Sequence, residues 1–192
     1  MQFDQMNRSL LALYYQTWQM KTSILISLMI LVIGIISISL KESQQEYVCT
    51  PCGSDCDKKV QTKGGVCEAC NMALVEKQTV KFKSITPKQV CDLLNDTTVV
   101  VLDVRTPGEY NGSSGTNYGH LKRAINIPIQ ELEKRINELN GVKDKQILVY
   151  CSHSRRSPRA SYMLNTHGFN NVTNMSGGMS EWDPACAKWL IK

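Results

Sequence analysis

What this chain of 192 residues lacks narrows its function before any motif is considered. Charge of one sign is not concentrated anywhere: 22 lysines and arginines exceed 17 acidic residues by only five, and they are scattered. Aromatic residues are sparse at 7% and do not interleave with the basic ones, so the electrostatic footprint of a nucleic-acid-binding protein is missing. Histidine numbers three against eight cysteines, and five of those cysteines fall between residues 49 and 70. The length suits one ordinary α/β domain with appendages.

The N-terminal region also lacks two diagnostic features, a clean A-x-A cleavage site and a cysteine placed for a lipoprotein anchor. What it has is Thr22 to Leu40, an uncharged run of Ile, Leu, Val and Met. As a helix this run would rise about 28 Å, close to the roughly 30 Å of a bilayer's hydrocarbon core. The run predicts either a transmembrane helix or the apolar part of a signal peptide. Residues 1–21 then form a leader, and Met20-Lys21-Thr22 reads as an alternative start that would leave a short positive region before an export signal. Arg8 and Lys21 on one side and Lys41 beside Glu42 on the other set no clear orientation. Both readings make the chain membrane-anchored or exported to an extracytoplasmic compartment, with export preferred.

After a polar linker at residues 41–46, a cysteine-rich segment occupies residues 47–78. Cys49-Thr50-Pro51-Cys52 and Cys67-Glu68-Ala69-Cys70 are two CxxC knuckles separated by fourteen residues, with Gly53, Gly64 and Gly65 supplying turns. In such knuckles both sulfurs can face one ion, and four thiolates make the tetrahedron that structural zinc prefers. So short a segment needs a staple to fold. Cys49, Cys52, Cys67 and Cys70 are the expected ligands, with Cys56 able to replace Cys52. Disulfides are the competing reading, and five cysteines cannot all pair within the segment. The segment resembles a small heavy-metal-binding ribbon, although Thr50, Pro51 and Cys52 stand where that family commonly has Met-His.

From Val80 onward, strands alternate with helices. Val80 to Ile85, Thr98 to Leu102, Ala124 to Ile127, Ile147 to Tyr150 and Val172 to Met175 read as five strands. Lys88 to Asn95, Ile129 to Leu139 and the stretch after Ser157 read as helices, the last ending at His167-Gly168. Alternation of this kind predicts a parallel sheet with helices on both faces and a ligand site at the carboxyl ends of the strands. Cys91 and Cys186 read as a packed core residue and an incidental cysteine of the final helix.

Cys151-Ser152-His153-Ser154-Arg155-Arg156-Ser157 lies at such a strand end, just before a helix start in which Ser157 is placed near the N-cap and Pro158 near the first helical position. A helix N-terminus and two arginines favour a thiolate, the form in which cysteine is a nucleophile. Leu102 to Tyr110 (LDVRTPGEY), Gly119-His120-Leu121, Ala124 to Pro128, the cysteine loop, and Gly177 to Trp182 (GGMSEW) come in the order and spacing of a rhodanese domain, which residues 80–192 resemble.

The resemblance implies a rhodanese-like five-stranded parallel fold and a six-residue active loop. Arg156 stands five places after Cys151, as in sulfurtransferases, where the related tyrosine phosphatases carry one residue more. It implies that Cys151 and Arg156 are catalytic and that Ser152, His153, Ser154, Arg155 and Ser157 bind substrate. Sulfane sulfur would move from thiosulfate or a persulfide to a thiol acceptor through a Cys151 persulfide. No organic cofactor is implied. Ser154 replaces the usual loop glycine and would have to accept positive φ. Asp103, Arg105 and His120 are assigned to holding the site together. The alternative reading is a metal-handling or non-catalytic sulfur-carrier and docking module.

Overall fold

The computed structural model describes residues 15–31, 44–51 and 55–192. It divides into two units, Met1–Gln44 and Gln45–Lys192. In the first, residues 15–31 form helix α1, which starts upstream of the apolar run expected at Thr22 and exposes Ile24, Leu25, Leu28 and Leu31. Among the described residues no helix is long and apolar enough to cross a membrane. Residues 32–40 of the expected span lie outside the described residues.

The second unit carries the main sheet. Its five strands are β4 (Lys83–Ile85), β5 (Val100–Asp103), β7 (Ala124–Asn126), β8 (Ile147–Tyr150) and β9 (Val172–Met175). They run parallel in the order β4-β9-β8-β5-β7, which puts β8 in the middle. Every residue of β8 is buried, as a parallel strand covered on both faces requires. Ile147 and Val149 enter one core with Leu132 and Ile136 and with Ala160 and Leu164 of the helix that follows the cysteine loop. Leu148 and Tyr150 point the other way, into a core with Val90, Leu94 and Met179. Each such aliphatic side chain contributes about 1.5–3 kcal/mol by leaving water.

The helices are α2 (Pro87–Leu93), α3 (Pro107–Tyr110), α4 (Ile129–Arg135) and α5 (Arg156–Thr166). Helices α2 and α3 start identically. Thr86 and Thr106 each accept from the amide three residues on, the Gln89 and Glu109 side chains reach back, and a proline takes the first turn. Helix α4 tightens after Arg135 into a 3-10 segment, Ile136–Val142, that runs through the expected stop at Asn140-Gly141. The first strand of this sheet is shorter than the Val80 to Ile85 expectation, starting only at Lys83, and a 3-10 turn at Lys77–Thr79 precedes it. A second small sheet pairs β6 (His120–Leu121) with β10 (Leu190–Ile191).

The cysteine-rich segment is a three-stranded antiparallel ribbon, in which β1 (Tyr47–Cys49) lies between β2 (Val60–Gln61) and β3 (Leu74–Glu76). Its core consists of Cys49, Cys56, Cys67 and Met72.

Two cysteines correct the sequence reading. Cys91 on α2 and Cys186 in the 3-10 segment Pro184–Trp189 form a disulfide across 95 residues, with their Cα atoms 5.7 Å apart. Neither is a bystander. Cys91 reads from sequence as a packed core residue and Cys186 as an incidental cysteine, and only the return of the C-terminal segment onto α2 brings them together.

Candidate functional site

The candidate site lies where β8 ends. Cys151 is 1% exposed, directly after the fully buried strand, and its Sγ accepts from the Ser157 hydroxyl at 3.4 Å. The loop then closes into α5, which begins at Arg156, two residues before the proline expected near its first position. Unlike α2 and α3, helix α5 has no side chain capping its N-terminus, the end of a helix that carries partial positive charge.

The loop's shape is held from outside. The Cys151 and Ser152 carbonyls accept from the amides of Met179 and Ser180, each at 2.9 Å. Gly178 makes this approach possible. Its φ is +68°, and a Cβ there would lie 2.6 Å from the Cys151 carbonyl oxygen, which accounts for a glycine in the GGMSEW stretch. Ser154 has a φ of 51°, so the serine in the glycine place does adopt the left-handed conformation that the sequence anticipated. Its hydroxyl accepts from Asn174 Nδ2 at 3.4 Å.

In the structure both Nη atoms of Arg156, the arginine that the resemblance makes catalytic, are engaged. They donate to the two carboxylate oxygens of Glu109, each at 2.6 Å. Ser152 Oγ joins them, donating to Glu109 Oε1 at 2.8 Å. The Arg156 guanidinium, the Ser152 hydroxyl and the Thr106 cap together hold the Glu109 carboxyl well below the usual carboxylate range, against the effect of burial. Glu109 and then the nearby Cys151 raise Arg156 above its ordinary value. Arg156 thus ties the start of α5 to Glu109 of α3. Glu109 was not singled out from sequence, although the T-x-x-E pattern of a capping box was readable at Thr106.

Arg155 and His153 remain exposed. They border a cavity of about 640 Å³ with Ser154, and Asp55, Cys56 and Cys70 of the ribbon form part of its opposite lining. His153 Nε2 lies 3.3 Å from the Tyr118 hydroxyl. His120 is committed elsewhere, with Nδ1 3.0 Å from the Tyr110 carbonyl and its ring stacked on Tyr110. Beneath the site Asp103 and Arg105 are both fully buried and paired at 2.6 Å, and Arg105 also donates to the Gly119 carbonyl at 2.8 Å.

The ribbon's sulfurs gather separately. One sulfur each from Cys49, Cys56, Cys67 and Cys70 lies within 4.8 Å of every other. Cys56 is the fourth sulfur of this group among the described residues, and Cys52, an expected ligand, lies outside them. The Cys70 amide pulls the Cys67 thiol down to about 7, while burial and then the Cys70 sulfur push the Cys49 thiol up.

This order of strands and helices, with the cysteine loop between β8 and α5, coincides with a match of residues 86–185 to the rhodanese-like domain. The chain belongs to the rhodanese-like domain family. Uncharacterized protein YqhL of Bacillus subtilis (strain 168) is 38% identical over 82 residues, which cover 43% of this chain and 59% of that protein. The chain thus spans less than two thirds of that relative's length. The putative sulfur carrier protein YrkF of the same organism is 30% identical over 142 residues, 74% of this chain and 69% of that protein. Among solved structures, a rhodanese-related protein from Thermoplasma volcanium is similar at 32% identity, covering 52% of this chain and 89% of its own, with a TM-score of 0.44.

Proposed function

We propose that this protein is a rhodanese-type sulfurtransferase with Cys151 as its nucleophile. The observation that carries the reading is the position of Cys151, buried at the carboxyl end of the central strand and followed by the uncapped N-terminus of α5. The Cys151 thiolate attacks the outer sulfur of thiosulfate. The S–S bond breaks, its electron pair leaves with sulfite, and the sulfur stays as a Cys151 persulfide. An acceptor thiolate then attacks that terminal sulfur and releases Cys151 as thiolate. Backbone N–H groups from Ser152 to Arg156 stabilise the anionic sulfur, as an oxyanion hole does for oxygen. Arg155 and His153, exposed at the cavity, meet the anionic donor. Arg156 and Ser152 keep the loop in shape through Glu109.

The chain is proposed to act outside the cytoplasm, exported or anchored through residues 22–40. A disulfide joining Cys91 to Cys186 suits an oxidising compartment.

The test is turnover of thiosulfate by the purified protein, with mass spectrometry for one added sulfur on Cys151 and Cys151→Ser as control. A persulfide with turnover, both lost in Cys151→Ser, is the expected result. A persulfide without turnover to small thiols would favour a sulfur carrier, the reading consistent with the name that YrkF bears. No persulfide from thiosulfate or a persulfide donor would overturn both.

A further inference from the structure

The four-sulfur cluster and the Cys151 loop are joined by more than proximity. Four thiolates around a zinc-sized cation at about 2.3 Å place their sulfurs about 3.8 Å apart, and the sulfurs of Cys49, Cys56, Cys67 and Cys70 already lie within 4.8 Å of one another. The set is all sulfur, three of the four cysteines are buried, and none is in a disulfide. Those are the features of a closed structural site for a borderline or soft divalent cation.

From that site a hydrogen-bonded chain runs to the active loop. Thr50, next to Cys49, is buried and donates to the Ala73 carbonyl at 3.2 Å. The carbonyl of Pro51, the next residue, accepts from Ser84 Oγ at 3.2 Å. Asn174 Nδ2 donates to that same Ser84 oxygen at 2.9 Å and to Ser154 Oγ at 3.4 Å. Asn174 is fully buried on β9 and its Oδ1 has no partner among the described residues, so its amide is held by these two contacts alone on that side. Ser154 is the one loop residue with a left-handed backbone, the conformation least able to hold itself without support.

We propose that Cys49, Cys56, Cys67 and Cys70 bind one tetrahedral divalent cation of the zinc class, and that the metal-bound ribbon braces the Cys151 loop through Pro51, Ser84, Asn174 and Ser154. The ribbon then serves sulfur transfer as a positioning element. That last role rests on the sulfurtransferase reading above.

The experiment uses the full chain, stripped of metal and reloaded with Co²⁺ as a spectroscopic probe. The loaded protein is expected to show the strong d–d and thiolate charge-transfer bands of a tetrahedral four-thiolate site. Those bands should persist in Cys52→Ser and be lost or shifted in Cys56→Ser. No such bands in the parent protein, or loss in Cys52→Ser but not in Cys56→Ser, would overturn the site. For the brace, amide exchange across residues 152–156 is compared between loaded and stripped protein, with about tenfold slower exchange expected when loaded. Asn174→Ala should keep the cobalt spectrum and abolish that difference. Ser84→Ala, which leaves Asn174 to Ser154 intact, should weaken it and covers the case in which Asn174→Ala fails to fold. Equal exchange with and without metal would refute the brace. Neither readout involves sulfur chemistry, so failure here and failure of the sulfurtransferase assay remain separate results.

Discussion

The main sheet and the ribbon solve the same problem of stability with different means. Around the sheet, among the described residues, fourteen buried residues on one face and nine on the other form two cores made almost entirely of aliphatic and aromatic side chains. In the ribbon, four buried residues cluster among the described residues, and three of them are cysteines. A segment of about thirty residues cannot bury enough apolar surface to offset its chain entropy. Cysteine therefore has opposite meanings in the two regions. Cys151 rests on a scaffold that is already stable, and its sulfur is available for chemistry. On the metal-site proposal, the sulfurs of the ribbon are used to hold the ribbon together.

The largest expected effect separates these roles. Cys151→Ser should reduce sulfur transfer on the order of 10³-fold or more, with melting temperature and ribbon metal content unchanged. A large loss of stability in that variant would collapse the distinction between the two regions. The converse change is Cys67→Ser. Amide protection in β1, β2 and β3 should fall about a hundredfold or more while β8 and β5 keep theirs, read by hydrogen exchange. If β8 lost protection equally, the ribbon and the sheet would be one cooperative unit.

A smaller effect asks how far the sheet depends on its own cross-link. Replacing both Cys91 and Cys186 by alanine should cost about 2–4 kcal/mol in chemical denaturation, since the bridge closes a long loop. Sulfur transfer by the folded protein should survive. A loss of activity at full folding would mean that the C-terminal segment shapes the site.

The smallest effect concerns Glu109. Glu109→Gln removes the partner of Arg156 and should cost about 1–2 kcal/mol, with a larger proportional loss in sulfur transfer as the loop loosens. Because the folded carboxyl is held below its unfolded value, this stabilisation is fully present above about pH 5. It declines as the pH falls from the ordinary glutamate value of about 4.3 towards the depressed folded one. Melting temperatures of the parent and Glu109→Gln should therefore differ at pH 7 and converge in acid. A constant difference across that range would show that the ion pair is not the source.

Much of this was legible in the residues. The β-branched runs at 98–102, 147–150 and 172–175 announce buried parallel strands because a strand covered on both faces has no polar side to show. The loop could be located because a strand end, a cysteine and a helix start follow one another without a gap, and the serine at 154 disclosed its positive φ by standing where glycine is usual. Strand and helix ends were less legible. Lys77–Thr79 and Ile136–Val142 turn into 3-10 geometry, which differs from its neighbours by hydrogen-bond pattern and not by composition.

Local sequence alone determined the order of elements, the identity of the nucleophile candidate and the presence of a thiol-rich ribbon, since each depends on periodicity or spacing within a few residues. Tertiary structure alone decided the rest: that Arg156 faces Glu109, that Cys91 meets Cys186, and that Asn174 reaches both Ser84 and Ser154. Each of these is a contact between side chains far apart in the chain. Which partners meet is set by how the sheet and its helices pack, and no spacing in the sequence encodes it.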